Sequence, residues 1–227
     1  MMPSALREAR RVDYGRAGVI GALVIGQIFL LAYLLRLSVA QAMLLALGAG
    51  LPVTMLCYRL LARAGNKRCL RSLVVMFAAG GFGMLLGCIV DFGPLGLYEL
   101  LGLCRSWASA EFWPGTTELW LMISLMPWAC FGMLAFGNAG MMLFDALDHH
   151  RARSVTHLIG FYGVCNTGML LGMMIAEHVV TRFSLGLGQE VAGALTVVAM
   201  LAGMTAGMTA LLSLAARIPT FGRAFGV

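Results

Sequence analysis

Charge is what this sequence has least of. Asp, Glu, Lys and Arg make up 11% of its 227 residues, whereas a water-soluble domain carries roughly a quarter. That shortfall excludes a soluble globular fold. Strict apolar–polar alternation is missing too, and with it the period-2 pattern of a lipid-facing barrel strand. Apolar residues make up 60% of the chain, and mean hydropathy is +0.88. They fall in runs close to the roughly 20 residues that carry a helix across a bilayer. The sequence therefore predicts an all-α integral membrane protein.

Other absences narrow the function. The six cysteines contain no C-x-x-C pair, which removes zinc ribbons and thioredoxin-like redox motifs. No G-x-S-x-G elbow, H-E-x-x-H pair or P-loop is present. Intramembrane haem needs axial ligands facing each other at one depth, yet His157 and His178 mark opposite ends of one predicted helix. Paired intramembrane carboxylates, the usual parts of a proton relay, are lacking. No enzyme is expected, a lipid-modifying site in the longest loop aside. The net charge of +6 comes without the aromatic interleaving of a single-strand groove. Nucleic acid is therefore not an expected partner, and the lipid bilayer is.

Six spans are predicted, over residues 17–35, 38–61, 72–90, 119–144, 158–180 and 191–214. The first exceeds the roughly 7–15 residues of a signal-peptide core, so it is read as a retained helix. Residues 1–16 form a polar leading segment, 17–61 a transmembrane hairpin closed at Arg36 and Leu37, 72–214 a core, and 215–227 a tail. The longest connection, 91–118, has room for a short interfacial helix over 97–108, with Trp107 and Trp113 at headgroup depth. With the N-terminus inside, Arg36, Arg105 and Arg182 are the only basic residues outside, and the other 13 of the 16 Lys and Arg lie inside. Cytoplasmic retention of Lys and Arg makes that the expected orientation, with both termini cytoplasmic and the protein in a cell membrane, the inner one in a bacterium.

Glycine and sulfur are what the spans hold in excess. Gly83/Gly87, Gly168/Gly172 and Gly203/Gly207 are G-x-x-x-G pairs. Helices in lipid associate through close backbone approach at such small residues. Spans 3, 5 and 6 are expected to pack tightly, with span 4 (Gly132, Gly137, Gly140) beside them and the first two spans peripheral. Pro127 is expected to kink span 4, with Asn138 available to the freed carbonyl.

Of the 17 methionines, all but Met1 and Met2 fall in predicted spans. Many recur at helical spacing: Met84 and Cys88; Met122, Met126, Cys130 and Met133; Cys165, Met169, Met173 and then Glu177; Met200, Met204 and Met208. Residues three or four apart share a helix face. Thioether and thiolate select Cu(I) over hard cations, and weak exchangeable sites in series let an ion enter and leave. The candidate metal ligands are Met84, Cys88, Met126, Cys130, Cys165, Met169 and Met173. Asp91, Glu177 and His178 would form an entry, and His149, His150 and His157 a cytoplasmic exit. The competing reading is structural. Methionine is a flexible filler of irregular gaps, Glu177 at a helix end can reach the headgroups, and His149 and His150 can sit in a solvated loop. Two functions follow: a transporter or handling protein for a soft metal ion such as copper, or a non-catalytic subunit that binds partner helices, its own copy included, through Gly-rich faces.

Overall fold

Inside a bilayer the backbone has no water to bond, so each amide must find its partner within its own segment, and helix is the outcome. The computed structural model describes residues 4–64, 68–93, 116–146, 155–184 and 186–217. All regular structure among the described residues is helical. Six helices are long and apolar enough to cross a membrane: span 1 (Ala17–Leu34), span 2 (Val39–Leu61), span 3 (Leu70–Phe92), span 4 (Pro127–Ala146), span 5 (Ile159–Phe183) and span 6 (Val191–Ala215). These match the predicted runs to within a few residues, except at the start of span 4. The expected interfacial helix over 97–108, with Trp107 and Trp113, lies outside the described residues.

Three local features shape the rods. The helix holding span 1 begins at Ser4, so residues 4–16 of the polar leading segment are helical as well. It ends in a Schellman-type turn, in which Arg36 N donates to Tyr33 O at 3.0 Å and Leu37 N to Ala32 O at 2.9 Å. Arg36 takes the left-handed position at φ 54°. Ser38 then caps span 2, accepting from the Gln41 amide while the Gln41 side chain accepts from the Ser38 amide. This turn makes spans 1 and 2 the expected hairpin.

Spans 2 and 3 each contain one π-helical turn, Ala46–Gly50 and Met76–Gly80. Such a turn leaves carbonyls without their usual i+4 amide. The side-chain amide of Gln27 joins the turn at Met76–Gly80, with Nε2 donating to Phe77 O at 2.8 Å and to Ala78 O at 2.6 Å, beside the Gly81 amide that the same two carbonyls also accept. One polar side chain thus fastens span 1 to span 3.

Pro127 interrupts the fourth rod as expected. A helix over Thr116–Leu125 stops, Met126 bends, and span 4 restarts at Pro127. Asn138 stands eleven residues past Pro127 in the restarted helix, and its buried Oδ1, an acceptor with no hydrogen-bond partner, cannot serve a freed carbonyl. What is secured at the break is the new helix start, by Asp91 of span 3. Its Oδ1 accepts from Trp128 N at 3.1 Å and its Oδ2 from Ala129 N at 2.8 Å. The cap thus comes from a neighbouring rod, a relation that spacing along the kinked helix does not carry.

The glycine pairs bind the spans two by two. Gly83 lies against the Gly132 carbonyl and Gly87 against the Trp128 carbonyl, so that a β-carbon on either would strike span 4 backbone. Gly172 meets Gly203, and Gly168 meets Gly207, in the same way. Span 3 therefore pairs with span 4 and span 5 with span 6, each pair antiparallel. The expected grouping of spans 3, 5 and 6 is corrected, because each G-x-x-x-G face can be consumed by only one partner. Span 3 is the central rod and mostly buried, whereas span 2 is mostly exposed and stands at the edge.

Candidate functional site

Between Leu70 and Ala215 every described methionine except Met142 is buried. These thioethers belong to one continuous core that joins the two glycine-sealed pairs. Leucine behaves otherwise over the same stretch. Among the described residues Leu85 and Leu212 are its buried members, and others, such as Leu86, Leu143, Leu195 and Leu214, face outward. Leu and Met have similar volume and exchange at low cost in cores. Apolar burial alone does not sort one from the other. The expected ligands Met84, Cys88, Met126, Cys130, Cys165, Met169 and Met173 all face this interior.

The core has two polar ends. At one stand Asp91 and Glu177, at the other Asp145. Glu177 is only 5% exposed, so it points into the protein rather than out to headgroups. An ionisable group turned inward within a span marks a functional-site hypothesis. Thr181 and Ser184 follow at four and seven residues, on the same face, and both are buried. Ser184 Oγ donates to Thr181 O at 3.1 Å, while Thr181 Oγ1 has no hydrogen-bond partner. Thr196 of span 6 is fully buried and donates to Ala192 O at 2.9 Å. His178, next to Glu177, is half-buried.

Asp91 is at this end as expected, but both of its oxygens are engaged in holding the start of span 4. Cys88 and Cys130 lie within electrostatic reach of it and of each other. Both thiols are buried, one on each side of the span 3–span 4 seam. Trp120 and Trp128 project outward near the same end, as aromatic side chains do at a membrane interface.

At the opposite end Tyr162 OH donates to Asp145 Oδ2 at 3.4 Å, linking spans 5 and 4. His149 and His150 lie outside the described residues, as does the side chain of His157. Among the described residues, no three of His, Cys, Asp and Glu stand together as a metal site. A metal held in the deep interior would therefore need thioethers among its ligands.

Gln27, Thr181, Tyr162 and Met76 did not stand out in the sequence. Gln27 had a signal, being the one amide side chain in span 1. Met76 had one too, because it continues the four-residue steps of Met84 and Cys88 through Gly80. In comparison with known proteins, no family model, curated protein or solved structure matches this chain.

Proposed function

We propose that this chain is a small multi-pass membrane protein that handles a soft metal ion, Cu(I) being the type, through its thioether interior. The observation that carries the reading is the segregation of sulfur. Methionine fills the inside of spans 3 to 6, and leucine of similar volume is mostly half-buried or turned outward. Thioethers bind Cu(I) weakly enough to release it and discriminate against hard cations. In this reading Glu177, with His178 and the free hydroxyl of Thr181, gathers cations at the mouth. Cys88 and Cys130 take the ion next, and Met126, Met169, Met173 and Cys165 pass it inward. Asp91 keeps the mouth in register by fixing span 4. The retention of basic residues in the loops puts the Glu177 end outside and both termini in the cytoplasm.

The alternative, a non-catalytic subunit that recruits partner helices through glycine faces, loses its main support. Those faces are consumed within the bundle. Span 2, with Met43, Leu44, Leu47, Leu51 and Met55 exposed, is the broadest face left to meet a partner, and an apolar face in a bilayer meets lipid by default.

The test is uptake of Ag(I), a redox-inert analogue of Cu(I), into proteoliposomes containing the purified chain. Wild-type protein should admit Ag(I) well above empty vesicles and leave Na⁺ and Zn²⁺ outside. Cys130→Ser combined with Met169→Leu should lower that uptake at least tenfold at equal incorporation. Uptake no faster than in empty vesicles, or unchanged in the double variant, would overturn the reading.

A further inference from the structure

Many of the packing glycines here are irreplaceable in space, but Gly80 and Gly137 are not. A β-carbon on Gly83, Gly87, Gly132, Gly172, Gly203 or Gly207 would run into the backbone of the partner span. On Gly137 it would lie 3.4 Å from Met76 Sδ, 3.6 Å from Gly80 Cα and 3.9 Å from Met169 Cε, all ordinary contacts. On Gly80 it would meet the Met133 carbonyl at 3.4 Å and Met133 Cγ at 3.9 Å. Spans 3 and 4 therefore part slightly at this level, leaving a gap about one methyl group wide. Met76 Sδ and Met169 Cε reach the space beside Gly137, and Met133 lines the adjoining space beside Gly80; the three methionines come from three different spans, each with no exposed surface.

The opening has a structural cause. Met76 is the first residue of the π-helical turn of span 3, which shifts the register of that face, and Gln27 holds the turn in place through Phe77 O and Ala78 O. Single π turns recur at functional sites because they re-aim side chains. Here the re-aimed group is a thioether, and its neighbours across the gap are thioethers.

We propose that Met76, Met133 and Met169 form a three-thioether binding site for a monovalent soft metal ion, Cu(I) or Ag(I), centred beside Gly137. It rests on the soft-metal reading above and adds a defined station to it, with Met76 and Met133 as ligands that reading did not use. Three neutral sulfur donors match a monovalent soft ion, and an oxygen-preferring cation finds no anionic ligand there. The flexible methionine side chains let the three sulfurs close on an ion in a gap of this size.

Gly137→Ala is the decisive variant, because the new methyl group fits the fold and fills the gap. Cu(I), supplied as a buffered complex, is titrated into the detergent-solubilised full chain, with X-ray absorption reporting sulfur ligation. Wild-type protein should bind Cu(I) with three sulfur neighbours. Gly137→Ala and Met76→Leu should each weaken that binding at least tenfold while melting within a few degrees of wild type, and Thr209→Val on the exposed face of span 6 should bind as wild type does. If wild type binds Cu(I) and both Gly137→Ala and Met76→Leu bind it equally well, this site is wrong and the broader reading stands. If wild type binds no Cu(I), both fall.

Discussion

Asp91 Oδ2 accepts the amide of Ala129 at 2.8 Å across the seam between spans 3 and 4. With Oδ1 on the Trp128 amide, the carboxylate acts as an N-terminal cap supplied in trans for a helix that proline has restarted. A helix start leaves amides unpaired and carries partial positive charge, so an anion is favoured there. Asp91→Ala is expected to destabilise the protein by about 1–2 kcal/mol. Asp91→Asn, which keeps one acceptor oxygen, should cost less. Thermal unfolding in detergent checks both, and an Ala variant that melts like wild type would refute the cap.

Gln27 bonds span 1 to span 3 through two carbonyls of the π turn. Replacing it with Leu removes both bonds while the two carbonyls keep the Gly81 amide, at a cost of roughly 0.5–1.5 kcal/mol. Proteolysis of the reconstituted protein should then release the first two spans faster than in wild type. Equal digestion would show that apolar packing alone holds them.

Some glycines are packed against the backbone of a partner span and others touch nothing. Gly172→Ala drives a methyl group into Gly203 and should cost roughly 1–3 kcal/mol, the usual range for overpacking. Gly163, in the same helix, has nothing within 4 Å. Gly163→Ala should be neutral, or stabilise by up to about 1 kcal/mol through helix propensity. The two melting temperatures, measured side by side, should move in opposite directions or differ plainly.

Arg36 sits in left-handed backbone at φ 54°, where a β-carbon costs about 1–2 kcal/mol. Arg36→Gly and Arg36→Ala both remove the guanidinium and its contacts, and only the first removes the β-carbon. The Gly variant should therefore be the more stable of the two by about 1 kcal/mol. Equal melting temperatures would show that this turn stores no such strain.

The proposed orientation rests on the distribution of Lys and Arg and is tested by labelling. A cysteine introduced as Asn66→Cys, in a variant with Cys69 and Cys104 changed to Ser, should react with a membrane-impermeant maleimide only after cells are opened. The other cysteines, Cys57, Cys88, Cys130 and Cys165, are buried and should stay unlabelled until the protein is denatured. Labelling of intact cells at position 66 would invert the proposed topology.

Composition and apolar run length by themselves determined the fold class, the six spans and the hairpin at Arg36. That is because a bilayer imposes one length and one kind of backbone bonding on every segment. The four-residue recurrence of sulfur also determined which residues share a face, so the grouping of Met126 with Cys130 and of Cys165 with Met169 follows from spacing alone. Periodicity cannot say which face meets which. Only the tertiary structure decided that Gly83 and Gly87 meet span 4 while Gly172 meets Gly203, that Asp91 caps a neighbouring helix, and that Glu177 turns inward. It also decided that a gap opens in the core at Gly137, among Met76, Met133 and Met169. Each of these depends on contact between residues distant in sequence, and helical spacing carries no record of a partner on another rod.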